Sequence, residues 1–298
     1  MAQNCAYFSA GKRFDTIKPS KRAISKKQQD LEETNMTKQN FTTVKLETGE
    51  IRRYDFGQVR LHAYQTDDPL NDEVFLLEKE GRFVILESPC FTESVAALSN
   101  YIKGKDVAGM LVSYHGAGAS FLPEVPKYAM ANAVEYSRSG GGKGLIDQFA
   151  KAFGPLFDSG VHTVDHIVEE GPLQIGGVAF IIRQTEEAFD VEIPEINAVY
   201  THMLGHDCHS IVAGASHADE RIAALKEDIQ RGYDLILTSH HAPEDRKDAQ
   251  TKIDYLEQLK AAAARCADAA EFKAEINKLY PAYGGENYLD MTAGFFFA

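Results

Sequence analysis

Cysteine is scarce in this sequence and is never paired in the spacing used by zinc ribbons or redox centres: Cys5, Cys90, Cys208 and Cys266 are scattered singly along 298 residues. That excludes a disulfide scaffold and fits a reducing compartment, so a cytoplasmic protein is expected. No stretch approaches the roughly 20 apolar residues needed to cross a bilayer. The first residues also lack the basic leader and apolar block of a secretory signal. Positive charge is in deficit, with 31 Lys and Arg against 44 Asp and Glu and a formal net charge of -13. A surface of that sign repels phosphate backbones and acidic lipid, so neither nucleic acid nor membrane is expected as a partner. GxGxxG and Walker patterns are missing, and so is a Gly-x-Ser-x-Gly elbow. A serine hydrolase on an α/β scaffold is thereby left without its nucleophile.

What is present is 44% hydrophobic residues, enough for one large α/β core. Residues 1–40 stand apart, because Lys12, Arg13, Lys18, Lys21, Arg22, Lys26 and Lys27 crowd a polar stretch with little periodic apolar content. Such a stretch cannot bury enough surface to offset the entropy of ordering, so a flexible extension is expected there, with Met36 as an alternative start. From residue 41 the texture changes to short strands separated by turn signals, at 41–46, 52–56, 59–65, 74–78 and 82–87, which suggests a largely antiparallel sheet. A helix at 94–104 and a strand at 108–113 follow. Helices are expected at 125–138 and 145–153, joined by a flexible glycine run at 139–143. Further strands are read at 161–168, 173–184, 189–193 and 196–201, then a helix at 218–231 and a strand at 235–239. The region 249–279 is alanine-rich and helical, with a break near 266–269. The last eleven residues are apolar enough to pack on the body or on a second copy of the chain.

Histidine carries the chemical signal. His202, His206 and His209 lie in one short segment ahead of an apolar run, 210–213, that reads as a buried strand. His240 and His241 follow a second apolar run and His115 a third. A neutral imidazole offers a nitrogen lone pair to a divalent transition metal at neutral pH, and side chains at the ends of neighbouring strands converge in space. His202, His162, His166 and His62 read as ordinary residues. Cys208 reads as a buried thiol.

The order of strands, helix, a strand ending in a His-containing loop, more strands, a Gly-His segment, helix, and a strand ending in His resembles the metallo-β-lactamase fold superfamily from about residue 42 to 259. Residues 71–77 and 83–88 look like the early hairpin whose second strand usually ends in aspartate, here Glu87. Gly205-His206 resembles the Gly-His segment whose histidine is a ligand, and 234–241 the last strand with its terminal ligand at His240 or His241. The resemblance implies an αββα sandwich, two mixed sheets flanked by helices, over 41–298 with a C-terminal helical extension. The superfamily's His-x-His-x-Asp-His loop is degenerate here: in 113–119 only His115 survives, and it can be laid on the motif in more than one register. The bridging aspartate is also displaced, with Asp219 late and His217 a candidate to take its place.

A single zinc or similar divalent ion held by His115, His206 and His240, with His209 and His241 as substitutes, would suit a hydrolase of a small ester, lactone or thioester. Glu87, Asp207 and Glu244 are the carboxylates available as general base. The opposing expectation is a non-catalytic binding or assembly protein that keeps the fold without the metal, and the apolar tail would serve a homo-oligomer.

Overall fold

The computed structural model describes residues 40–202 and 205–297. The polar N-terminal stretch and the alternative start at Met36 lie outside the described residues. Strands β1 (Phe41–Lys45), β2 (Glu50–Asp55), β3 (Val59–Gln65), β4 (Glu73–Lys79) and β5 (Arg82–Leu86) pair antiparallel in chain order. Helix α1 (Thr92–Ile102) crosses over to β6 (Asp106–Leu111), which runs parallel to β5, and β7 (Lys127–Ala129) continues the parallel edge. Helices α2 (Ala131–Arg138) and α3 (Gly141–Phe153) precede the two-residue β8 (His166–Ile167), which completes an eight-stranded mixed sheet.

The second sheet has six strands: β9 (Gly171–Ile175), β10 (Val178–Gln184), β11 (Phe189–Ile193), β12 (Ala198–Thr201), β13 (Leu235–Thr238) and β14 (His241–Glu244). Helix α4 (Ala215–Arg231) is the crossover that makes β12 and β13 parallel, with Thr201 paired to Thr238. Helices α5 (Arg246–Arg265), α6 (Ala269–Leu279) and α7 (Glu286–Phe296) follow.

The central strands β4, β5, β12 and β13 are buried on both faces, as strands of sheets covered on both sides must be. On β4, Phe75 and Leu77 join Phe180, Val191, Tyr200 and Leu237 in the core between the sheets, while Val74 and Leu76 meet Leu98 and Ile102 of α1 outside. Val199 and Ile236 of the second sheet turn outward onto α4 and α5. The four layers are therefore helix, sheet, sheet and helix. The two parallel pairs, β5 with β6 and β12 with β13, bring the residues that follow Leu86, Leu111, Thr201 and Thr238 to the ends of adjacent strands.

Four local readings are corrected. Residues 125–138 do not form one helix: Pro126 lacks the donor a helix interior needs, and 127–129 pair beside Met110 and Leu111 instead. The glycine run is no loose joint, since Gly141 and Gly142 make the first turn of α3. Within 161–168 only His166 and Ile167 are strand. The run 210–213 is irregular rather than a strand. Its backbone is served by a side chain: Thr292 Oγ1 of α7 donates to Ser210 O at 2.6 Å and accepts from Val212 N at 2.8 Å. That contact also seats the apolar tail, whose Leu289 and Ala293 are buried while Met291 and Phe295 stay exposed.

Two buried histidines set an acid limit. Burial lowers the pKa of both His62 and His162 to about 4, although Glu78 accepts a hydrogen bond from His62 and opposes the shift. In the unfolded chain both take up protons near pH 6.5, so acidification from about 6.5 to 4 favours unfolding, by on the order of 3 kcal/mol per histidine at most. Urea titrations at stepped pH should show stability falling across that window. A His62→Gln variant should flatten the slope, and an unchanged slope would rule this assignment out.

Candidate metal centre

Glu87 is where the site begins. It follows β5 in the left-handed region, at φ 69°, a conformation that costs a non-glycine residue on the order of 1 kcal/mol. Its buried carboxylate accepts from three successive backbone N–H groups, those of Ser113 (3.3 Å), Tyr114 (2.8 Å) and His115 (3.1 Å). The Tyr200 hydroxyl donates to the same group at 2.6 Å across the sheets. A carboxylate with four donors fixes the loop after β6, and His115 with it.

His115 meets two rings from the second sheet. Its centroid lies 5.0 Å from that of His240, just past β13, and 5.5 Å from that of His202, just past β12. One ligand nitrogen from each of the three lies within 4.8 Å of the others. His240 Nδ1 donates to Leu70 O at 3.1 Å and stands 3.2 Å from a buried Asp72 oxygen, so its Nε2 carries the lone pair. That Nε2 is 3.3 Å from His202 Nε2. His115 Nδ1 is buried without a hydrogen-bond partner among the described residues. Nitrogens bound at about 2.0–2.1 Å in a tetrahedron stand about 3.3–3.4 Å apart, so the His202–His240 pair already has the span of two zinc ligands. Burial, then the neighbouring His240 and His115, holds the pKa of His202 well below its usual value, which keeps the ring neutral and able to ligate.

Supporting contacts fix each ring. Tyr114 stacks on His202 at 4.6 Å between centroids, and its hydroxyl pairs with Thr185 Oγ1 at 2.9 Å. Arg221 of α4 donates to His202 O at 3.4 Å. Asp72 accepts from the Cys90 thiol at 3.1 Å, and burial pushes that thiol's pKa well up, so it remains protonated and donates.

The structure therefore brings His115 and His240 together with His202, and places His206 elsewhere. His206 donates to Glu244 from both its backbone N (2.6 Å) and Nδ1 (2.7 Å), and this bond raises its pKa. Its ring neighbours His241, and together with Asp207 these two form a second cluster with ligand atoms within 4.8 Å of one another. His209 belongs to neither cluster. It is buried against Tyr255 and Tyr283, with Nδ1 3.0 Å from the Tyr255 hydroxyl. His217 lies between Ala213 N and Arg221 Nε, four residues to either side, and Asp219 pairs with Lys260. His202 is the residue that the Gly-His reading passed over, although the signal for it was in the sequence: it directly follows the apolar Ala198–Thr201.

No protein-family model matches the chain, and no curated protein matches it in sequence. In structure it is similar to the stereoselective inverting sec-alkylsulfatase Pisa1 from Pseudomonas sp., with TM-score 0.54 and 15% identity over 79% of this chain and 49% of that one. This chain thus spans about half the length of the alkylsulfatase. The metallo-β-lactamase from Erythrobacter litoralis aligns over 73% of this chain and all of its own, at 13% identity and TM-score 0.49. TMB-1 aligns over 72% of this chain and 98% of its own, at 15% identity and TM-score 0.47. At such identities the likeness is one of fold alone, an αββα sandwich of two mixed sheets between helices.

Proposed function

We propose that this chain is a metal-dependent hydrolase working from one centre, His115, His202 and His240, on a small ester, lactone or thioester. One observation carries the reading: three imidazoles from segments far apart in sequence converge with ligand atoms within 4.8 Å. Three histidines with an open position suit zinc or another divalent transition ion. Such an ion, when bound, lowers the pKa of water towards neutrality and polarises a carbonyl. The chain's own part is orientation. Leu70 O and Asp72 aim His240, Tyr114 backs His202, and Glu87 fixes the loop of His115.

The carboxylates considered as general base are occupied. Glu87 holds backbone N–H groups, Glu244 holds His206, and Asp207 lies with His241. The absence of a free carboxylate in the 113–120 loop is what favours the second reading, a protein that binds without turning over.

The test begins with protein purified without added metal. Elemental analysis should find a transition metal at the centre, and hydrolysis of an ester, lactone and thioester panel should vanish on chelation and return with zinc. Persistent absence of metal together with no turnover after zinc is added would leave only the binding reading.

A further inference from the structure

We propose a second, separate site for a divalent transition cation at His206, Asp207 and His241, independent of the three-histidine centre. Each imidazole here has its Nδ1 already engaged. That of His206 donates to Glu244 Oε1 at 2.7 Å and that of His241 to Ala242 O at 3.1 Å. With Nδ1 held by an acceptor, each ring is turned so that its Nε2 points to the same spot, where one ligand atom from each of His206, Asp207 and His241 lies within 4.8 Å of the others, the arrangement in which outer acceptors orient histidines for a metal. Each Nε2 in turn faces a carboxylate. His241 Nε2 stands 3.0 Å from Asp207 Oδ1 and His206 Nε2 3.4 Å from Asp248 Oδ1. A divalent cation at this spot takes the place of the proton shared between His241 and Asp207 and is met by both rings and the carboxylate together.

The backbone is shaped for the same contact. A Cβ on Gly205 would stand 2.0 Å from His241 Cδ2, so only glycine lets the ring lie flat against this segment. Beneath it the buried ammonium of Lys252 donates to Gly205 O and Cys208 O, each at 2.8 Å, clamping both sides of the His206–Asp207 pair. Lys252 is outweighed locally by Asp207, Glu244 and Asp248. Asp207 keeps 62% of its side-chain exposure, leaving the outer face open for water ligands. Two imidazoles and one carboxylate are a borderline donor set, suited to zinc, nickel or copper rather than to magnesium or calcium. A bound ion would tie the segment just past the His202 strand to β14.

The experiment counts ions on the full chain, stripped with chelator, exposed to zinc and freed of excess. Wild type should retain two zinc ions, an Asp207→Asn/His241→Asn variant one, and a His115→Ala/His202→Ala variant one. If the first variant retains as many ions as wild type, or the second retains none, the site is overturned. A wild type with one ion, lost only in the Asp207→Asn/His241→Asn variant, supports this site while the three-histidine reading fails. One ion lost only in the other variant does the reverse. Should the double variant not fold, the single exposed change Asp207→Asn, followed through the visible bands of bound cobalt(II), should remove one of two spectral components. Retention of both overturns the site.

Discussion

Replacing Glu87 with alanine is expected to remove about 4 kcal/mol or more of folding stability, a large fraction of the roughly 5–15 kcal/mol margin of an ordinary domain. The carboxylate serves four buried donors, the N–H groups of Ser113, Tyr114 and His115 and the hydroxyl of Tyr200. A hydrogen bond to a charged group contributes about 1.5–3 kcal/mol, and a stranded buried donor costs about 1–3 kcal/mol. The contributions are not additive, yet even half of their sum exceeds the roughly 1 kcal/mol regained by relaxing the left-handed backbone at residue 87. A graded series separates the causes. Tyr200→Phe removes one donor and should cost about 1–3 kcal/mol. Glu87→Gln keeps one acceptor but turns an NH2 towards donors, and should fall between the other two. Urea midpoints measured in chelator exclude any contribution from bound metal, and a Glu87→Ala loss under about 1 kcal/mol would refute the account.

The layers of this fold were legible because each strand announces itself locally. Leu61, Ala63, Phe75 and Leu77 alternate with residues facing α1, and glycine or Asp-rich turns close each hairpin. The helix break at 266–268 was legible for the same local reason. Legibility failed where long-range partners decide. Residues 210–213 look like a strand, but Thr292, some eighty positions on, takes their hydrogen bonds. Residues 127–129 look helical, but the edge beside β6 recruits them. At the site, the rule that ligands sit at strand ends picked out His115 and His240, which the structure brings into one cluster. Its application to 206 depended on a strand at 210–213 that does not form. Applied to β12, the same rule leads to His202. The separation of His240 from His241 is likewise beyond composition, since it depends on which of two adjacent rings turns towards Asp72 and which towards Asp207.

His202→Ala is expected to empty the three-histidine centre and to lower hydrolysis of whichever panel ester or lactone is turned over by about a thousandfold or more, equivalent to about 4 kcal/mol of transition-state stabilisation. The ring supplies one of the three nitrogens of the proposed centre, and its Nε2 is the partner of His240 Nε2 at 3.3 Å, so its loss would leave two of the proposed ligands and a gap beneath Tyr114. His115→Ala and His240→Ala should fall by similar factors. A double variant should be little worse than either single one, because groups that act as a unit are lost together. His166→Ala provides the contrast: that ring stacks on Tyr128 at the sheet edge and lies in neither cluster, so metal content and turnover should be unaffected. Elemental analysis and initial rates on the same preparations decide the matter. A His202→Ala protein that keeps its metal and its rate would mean that the chemistry belongs to other residues, whatever the rings at 115, 202 and 240 share in space.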